Sequence, residues 1–325
     1  MEFKIKILLL SFVATVISGI IIIPILRKLK IGQIEREDGP NSHLRKQGTP
    51  TMGGIIMMAV IAILGGFIYY TYSKTDPILA QKIISLIIIT IGCGLIGFMD
   101  DIKKMIGKNT KGINPAAKMF GLFAVATLFT MYLLKVQNIS TDVIIPFIGI
   151  TYNLPIWIYI PFTIFVILSV TNSVNLTDGI DGLATSVVIA MALCLTFLSI
   201  VLDIKEVTLI GCLILGICSG FLIFNLHPAK VFMGDTGSLL LGGSIAGMAI
   251  AMKLPIILLI IAIIPIIEVL SVIIQVIYFK KTGKRIFKMS PFHHHLELSG
   301  WKENTIVLVF SIMTVVLGII AILSV

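Results

Sequence analysis

The sequence has little charge. Only 13% of its 325 residues are charged, whereas 57% are hydrophobic, and the mean hydropathy is +1.08. Soluble domains contain about a quarter charged residues, so this composition excludes a soluble globular fold. Apolar runs of about 20 residues are long enough to cross a bilayer. In lipid such runs must be helices, because each backbone polar group needs an internal partner.

Cysteine is also scarce. The four cysteines all lie inside apolar runs, and none has the spacing to histidine that is typical of a metal site. Disulfides between lipid-embedded helices are not expected. We expect no cleavable signal peptide either, because the first apolar run is too long and lacks a small-residue cleavage site. These shortages exclude a disulfide scaffold and a cysteine-based metal centre.

Positive charge is in excess, with a formal net charge of +9. Such an excess can indicate nucleic acid binding, but in a multi-pass membrane protein it more often marks cytoplasmic loops. The sequence places 18 of its 25 Lys and Arg residues in five connections, which we therefore assign to the cytoplasm, with both termini outside. We expect a lipid bilayer and no nucleic acid as partner. The five connections are 27–52, 99–118, 172–182, 225–237 and 280–303.

The apolar runs predict an all-α polytopic fold in a single membrane domain, residues 1–325, with about ten transmembrane helices. The longest outer connection contains "IIPFIGITYNLP", whose alternation and turn residues predict a small β-hairpin near 138–155. The predicted spans are 7–26, 53–72, 80–98, 117–134, 156–171, 183–202, 207–224, 238–252, 255–279 and 304–324.

Two adjacent carboxylates, Asp100 and Asp101, end the third span in "GFMDDIKKM". Adjacent residues point about 100° apart on a helix, so the two cannot do the same task. One carboxylate can hold a metal while the other contacts a substrate. Alternatively, the pair is a solvated helix end whose flanking lysines only obey topology, and this segment alone favours that interpretation.

The segment "NSVNLTDGIDGL" is a stronger signal. Asn172, Asn175, Asp178 and Asp181 recur every three residues between two spans. Their side chains can hydrogen-bond a nucleoside or ligate Mg²⁺. The alternative is that Asp181 caps the following helix, but capping explains only one of the four polar side chains.

Two further patterns lie on the same side, and one more carboxylate lies inside a span. Asp235, between glycines at the start of a span, suits a hard cation shared with phosphate, although it can also simply favour the helix dipole. The run His293 to His295 suits phosphate binding or proton transfer, or is a pH-sensitive loop. Glu268 lies inside a span, where a carboxylate is costly, and we expect it to hydrogen-bond between helices.

The segments "DGPNSHLRKQGTPTMGG", "GFMDD", "NSVNLTDGIDGLA", "NLHPAKVFMGDTGSL" and "KRIFKMSPFHHHLELSGW" resemble, in order, those of the phospho-N-acetylmuramoyl-pentapeptide transferases. This family (translocase I) belongs to the polyprenyl-phosphate N-acetylhexosamine-1-phosphate transferases, or glycosyltransferase family 4. The resemblance implies a Mg²⁺-dependent reaction of UDP-MurNAc-pentapeptide with undecaprenyl phosphate to give lipid I and UMP. It also implies the bacterial plasma membrane, with the site facing the cytoplasm.

The resemblance implies a role for each matching residue. Asp235, with Asp100 or Asp101, would bind the metal, and Phe232 would stack on uracil. Ala116 departs from the family, which often has a basic residue there. The implied catalytic residues are Asp100, Asp101, Asp235, His294 and His295. The implied substrate-binding residues are Lys46, Thr51, Lys104, Lys108, Asn172, Asn175, Leu176, Asp178, Asp181, Asn225, Phe232 and His293.

Two other functions remain open from the sequence. A sister transferase acting on UDP-N-acetylglucosamine would share most motifs but not the three histidines. A transporter or flippase would have many spans too, but transporters carry ionisable groups near the midplane. Here nearly all candidates lie at one face. The sequence does not decide between a monomer and a homodimer.

Overall fold

The computed structural model describes residues 2–29, 48–107 and 112–325, and these are mostly helical. Two short strands form the one sheet found among these residues. In chain order, the first elements are α1 (Glu2–Lys28), α2 (Gly54–Thr75), α3 (Pro77–Gly107), α4 (Pro115–Lys135), β1 (Asp142–Ile144), β2 (Thr151–Asn153), α5 (Ile156–Thr177), α6 (Leu183–Val201), α7 (Lys205–Asn225) and α8 (Gly234–Ala251). They are followed by α9 (Leu258–Ile261), α10 (Ile263–Thr282), α11 (Phe292–Glu297) and α12 (Glu303–Leu323).

Nine of the described helices are long and apolar enough to cross a membrane. They coincide with nine of the predicted spans, so the polytopic α-helical class is confirmed. The remaining predicted span, 238–252, corresponds to α8, which is rich in glycine and is not one of the nine. The number of crossings and the side on which the termini lie stay predictions.

One predicted span is wrong in its continuity. Residues 255–279 do not form a single helix, because a 3₁₀ turn at Pro255–Ile257 and the short α9 precede α10. Pro265 has no N–H, so it cannot donate the helical hydrogen bond that would continue a helix through Ala262. Proline is tolerated, however, in the first turn of a helix. The chain therefore breaks at Ala262 and starts a new helix just before Pro265.

The predicted hairpin is confirmed. Strands β1 and β2 are antiparallel, with Val143 opposite Tyr152. The Ile144 N–H donates to the Lys253 carbonyl at 2.9 Å, and the Phe147 N–H donates to the Ser324 carbonyl at 2.8 Å. The hairpin is thus attached to the connection after α8 and to the end of α12.

Helix α8 is the centre of the bundle. Its residues from Thr236 to Ile250 are all buried, and it packs against α3, α5 and α6. Its sequence, "GDTGSLLLGGSIAGMAIA", is rich in small residues, which let helix backbones approach closely where hydrophobicity gives little driving force. Because its neighbours surround it, the polar first turn of α8 is enclosed by the ends of α3 and α5.

Several predicted cytoplasmic loops are partly helical. Helix α3 continues to Gly107, so Asp100 and Asp101 lie on a helix rather than in the loop 99–118. Helix α5 continues to Thr177 and includes Asn172 and Asn175. Polar residues need not end a helix, and the first glycine after α5 is Gly179.

Candidate active site

Three carboxylates meet where the end of α3 reaches the start of α8. One oxygen from each of Asp100, Asp101 and Asp235 lies within 4.8 Å of the others. We call these three residues the acidic cluster. Asp100 and Asp101 are 3% and 5% exposed, so they are not the solvated helix end that the segment alone favoured. Buried carboxylates are stable only when a cation or hydrogen bonds compensate them.

The two helices approach closely at Gly97, one turn before Asp100. A Cβ placed on Gly97 would lie 2.1 Å from the carbonyl oxygen of Asp235. No side chain fits in this space without moving the backbone of α8. The glycine therefore sets how near the α3 carboxylates come to Asp235.

Asp101 caps α8 from another helix. Its carboxylate accepts hydrogen bonds from the N–H groups of Asp235 (3.2 Å) and Thr236 (2.9 Å) and from the Thr236 hydroxyl (2.6 Å). The first N–H groups of a helix have no partner within it, and Met233, just before α8, offers no side-chain cap. Asp101 therefore fixes the backbone of Asp235.

Asp100 and Asp235 share a lysine. The Lys104 ammonium lies 2.6 Å from Asp100 and 3.1 Å from Asp235. The other Asp100 oxygen accepts the Ile113 N–H at 2.8 Å. A second lysine, Lys118, lies 2.6 Å from Asp235. Among the described residues, two ammonium groups thus contact the carboxylates of the cluster.

Asn175 links the acidic cluster to α5. Its amide nitrogen donates to Asp235 at 3.1 Å and to the Ser238 hydroxyl at 2.8 Å, and its oxygen lies 3.4 Å from the Lys118 ammonium. Asn172, one turn earlier, donates instead to the Leu168 carbonyl of its own helix. Of these two candidates, the structure brings only Asn175 into contact with the acidic cluster.

Asp178, just after α5, is half-buried. Loss of hydration raises the pKa of its carboxyl to about 8, and the negative charge of neighbouring aspartates, Asp235 first, adds to the shift. Its protonated form is therefore favoured at neutral pH when no cation is bound. A neutral carboxyl at this place can donate a hydrogen bond.

Asp181 belongs to a neighbouring cluster and does not cap α6. The residue before α6 is Gly182, which makes no side-chain cap. The Asp181 carboxylate lies 2.9 Å from His227 Nδ1 and accepts the Ala229 N–H at 3.0 Å. Its own N–H donates to Glu303 at 3.3 Å. These contacts tie the α5–α6 turn to the α7–α8 loop and to the start of α12.

The three histidines have different surroundings. His293 is fully buried against the α5–α6 turn. His294 Nδ1 lies 2.7 Å from Glu297, and the His294 side chain is 13% exposed. His295 Nδ1 accepts the Lys288 N–H at 3.1 Å, and its ring stacks on Phe292. His295 therefore holds its own loop together.

The remaining candidates lie around this end of the bundle. Phe232 exchanges backbone hydrogen bonds with Pro50 and Gly53, which places Thr51 beside it. Asn225 is buried and bonds the Thr185 hydroxyl and the Val231 carbonyl. Leu176 is half-buried in the last turn of α5. Lys46 and Lys108 lie outside the described residues.

Sequence reasoning missed Lys118 and Ser238 as members of the site. The sequence indicates Lys118 only as one of the positive charges of the predicted cytoplasmic connection 99–118. Its position in the first turn of an apolar helix, after the Asn114 cap and Pro115, was the available signal. Ser238 begins the predicted span 238–252, where a serine can also serve as a helix cap.

Comparisons with known proteins show the family to which the chain belongs. The family described as "Glycosyl transferase family 4" matches residues 83–253. The chain is 46% identical over 314 residues to the phospho-N-acetylmuramoyl-pentapeptide-transferase of Acetivibrio thermocellus, covering 96% of this chain and 92% of that protein. It belongs to this family. The namesake in Clostridium perfringens is 47% identical over 320 residues, covering 98% and 97% of the two chains.

The part of the chain that matches the family contains the acidic cluster and its partners. The enzyme of the same name in Halalkalibacterium halodurans is 45% identical over 315 residues, covering 97% of this chain and 95% of its own. The matched range 83–253 contains the acidic cluster, Lys104, Lys118 and Asn175. The chain is thus a glycosyl transferase family 4 protein whose buried acidic cluster lies within the matched region.

Proposed function

We propose that this protein transfers phospho-MurNAc-pentapeptide from UDP-MurNAc-pentapeptide to undecaprenyl phosphate, giving lipid I and UMP. This is the first membrane step of peptidoglycan synthesis, on the cytoplasmic face of the bacterial plasma membrane. The observation that carries the proposal is the convergence of three carboxylates, two buried and one half-buried, and two lysines at one end of the bundle. The relatives that carry this enzyme's name match nearly the whole chain.

The donor set of the acidic cluster fits Mg²⁺, a hard cation that takes oxygen ligands. Asp101 already accepts three hydrogen bonds from α8, so we assign the ion to Asp235 and Asp100. Asp101 then orients Asp235. Two ammonium groups contact the same carboxylates, which supports a pocket suited to positive charge. When bound, Mg²⁺ supplies neutralisation of the diphosphate and of the leaving group.

The reaction is a single displacement. A phosphate oxygen of undecaprenyl phosphate attacks the sugar-linked phosphorus, and the bond to the bridging oxygen breaks, so that UMP leaves with the electron pair. The second pKa of a phosphate monoester is about 6, so this nucleophile needs little help from a base. Asp100 positions the lipid phosphate, while Lys104 and Lys118 reduce the repulsion between the two anionic substrates.

The nucleoside end lies toward the α5–α6 turn. Asp178, which favours its protonated form, donates a hydrogen bond to a phosphate or ribose oxygen. Phe232, half-buried next to Thr51, offers a ring face for uracil. Asp181 and Asn225 hold the surrounding loops through buried hydrogen bonds. His294, whose side chain is partly exposed, is our candidate for a contact with the polar substrate.

The proposal is tested by UMP release from purified protein with UDP-MurNAc-pentapeptide and undecaprenyl phosphate. We expect UMP and lipid I, loss of both with EDTA, and recovery with Mg²⁺. Turnover with UDP-N-acetylglucosamine instead would favour the sister transferase. Flux across sealed vesicles without a chemical product would favour a transporter. Turnover that persists in EDTA would contradict the metal assignment.

The one-step scheme and the topology need separate tests. Rapid-quench labelling with donor phosphorus, in the absence of undecaprenyl phosphate, should leave the protein unlabelled. A labelled aspartate formed at a competent rate would instead show a phospho-enzyme. Single cysteines placed at Lys230 and at Asn153 should react with membrane-impermeant reagents from opposite sides of the membrane. The four native cysteines are buried and do not interfere.

A further inference from the structure

Glu268 is a buried carboxylate that the proposed chemistry does not use. It lies in the second turn of α10 and is 0% exposed. A carboxylate inside a membrane-spanning helix is costly, and such residues are usually paired or functional. Its surroundings therefore call for a physical explanation.

Glu268 contacts the start of the histidine helix α11. The His293 N–H donates to Glu268 Oε2 at 3.3 Å, and His293 Nδ1 lies 3.1 Å from the same oxygen. The residue before α11 is Pro291, which makes no side-chain cap. Since the first N–H groups of a helix lack internal partners, the Glu268 carboxylate provides the missing acceptor.

The other side of the His293 ring faces the α5–α6 turn. A Cβ placed on Gly179 would lie 2.1 Å from His293 Nε2. The His293 ring is itself 0% exposed and therefore cannot move aside freely. The imidazole is thus held between Glu268 and the residue that follows Asp178. The His294 ring is next to it, with ring centroids 4.1 Å apart.

This buried arrangement is not fully hydrogen-bonded. Neither nitrogen of the His293 ring nor Glu268 Oε1 forms an aligned hydrogen bond with any part of the chain that the structure describes. The 3.1 Å approach of Nδ1 to Oε2 is therefore a close polar contact rather than a well-formed bond. Most buried polar atoms have partners, so exceptions of this kind often mark functional sites.

We propose that Glu268 is a positioning residue that acts through His293 on the turn bearing Asp178. A carboxylate only accepts hydrogen bonds, so it favours the tautomer with the proton on Nδ1 and turns Nε2, as an acceptor, toward the turn. The same oxygen fixes where α11 begins. The distance between the histidine helix and the acidic cluster then depends on Glu268. This inference rests on the proposed function.

The test compares UMP release by the native enzyme, Glu268→Gln, His293→Gln and the double variant. In Glu268→Gln the amide that replaces the carboxylate can still accept the backbone N–H but can also donate to Nδ1, which removes control of the tautomer. We expect kcat to fall about tenfold to a hundredfold in Glu268→Gln, with KM nearly unchanged. This is the size of loss typical when a residue that orients a directly contacting side chain is removed. The double variant should be no slower than His293→Gln alone, because the two residues act as a unit.

A matched control is available at the opposite end of the bundle. Glu206 is also buried, at 7% exposure, and pairs with Lys82 at 3.3 Å. Glu206→Gln should retain native kcat. Glu268→Asp, which keeps the charge, should recover part of the rate lost in Glu268→Gln. Hydrogen exchange of the 292–297 amides should be faster in Glu268→Gln than in the native protein, which tests the capping contact without activity.

The outcomes separate the two proposals. A native enzyme that turns over, with Glu268→Gln at the same rate or with losses that multiply in the double variant, overturns the positioning role alone. Unchanged hydrogen exchange in α11 also overturns it. A native enzyme that releases no UMP removes the proposed function, and the positioning role is then overturned with it.

Discussion

Aspartate residues have different surroundings at the two ends of the helix bundle. At the hairpin end, Asp142 accepts from Asn153 at 2.8 Å and from Lys253 at 3.0 Å. These hydrogen bonds, with one from Ser140, hold the pKa of the Asp142 carboxyl well below its usual range. At the other end, Asp100 and Asp101 are buried and Asp235 is half-buried, and the described lysines that contact them are Lys104 and Lys118.

The difference separates a structural carboxylate from a functional one. Asp142 accepts hydrogen bonds from three side chains, which link two strands and a loop. Among the described residues, the three carboxylates of the acidic cluster contact two lysines, and Asp178 nearby has a pKa raised to about 8. Burying carboxylates opposes folding unless they are compensated, and the three carboxylates of the acidic cluster are placed so that they could hold a metal ion.

The largest effect should come from removing the charge of Asp235. We expect Asp235→Asn to lower the rate of UMP formation roughly a thousandfold or more, because a neutral amide is a poor ligand for Mg²⁺. The fold should persist, since the amide oxygen can still accept from Lys118. The rate is measured with saturating substrates over a range of Mg²⁺ concentrations, and a near-native rate at ordinary Mg²⁺ would refute the metal assignment.

The next effect should come from Lys118. Lys118→Met removes the ammonium 2.6 Å from Asp235. We expect kcat/KM to fall about tenfold to a hundredfold, because a close charge pair in a partly buried site is lost. Lys253→Met, which removes the corresponding lysine at the hairpin end, is the control and should retain native kcat/KM. Equal losses of kcat/KM in Lys118→Met and Lys253→Met would contradict the proposed difference in function between the two ends of the bundle.

A smaller effect should appear as a pH dependence of stability. The carboxyl of Asp178 has an ordinary pKa of 3.8, raised to about 8 in the folded protein. Its contribution to stability is therefore fully present below about pH 4 and is lost as the pH rises through 8. In EDTA, the melting temperature of the native protein should fall more between pH 6 and pH 8.5 than that of Asp178→Asn. Parallel curves would contradict the raised pKa.

The smallest effect should come from Asp142→Asn. Asp142 is only partly shielded from water, so its ion pair with Lys253 is screened and contributes little. We expect native UMP release and an unchanged melting temperature at pH 7. Because the folded pKa is lowered, any contribution is present above pH 4 and is lost as the pH falls further. A large loss of activity in this variant would assign chemistry to the hairpin end.

Much of this arrangement could be predicted from the sequence. Long apolar runs located nine helices, and turn residues located the hairpin, because both signals are local. The segments around Asp100, Asn175 and Asp235 were predicted to meet, and their side chains do contact one another or share Lys104 and Lys118.

The contacts that orient the site could not be predicted. Asp101 and Thr236 are 135 residues apart in sequence, and Glu268 and His293 are 25 apart. No local pattern reports which helix end faces which. Asp181 shows the same limit. Its position offered capping of α6 as the alternative and the resemblance implied substrate binding, but neither indicated its contacts with His227 and Ala229.

The lysines at the acidic cluster have a consequence for how the protein is made and stored. Lys104 and Lys118 act as resident counter-ions, so newly inserted chains can assemble this end of the bundle before any divalent metal arrives. A chelator should then switch turnover off without unfolding the protein, and readmitted metal should restore it within the mixing time. We therefore expect folding and metal loading to be separate events.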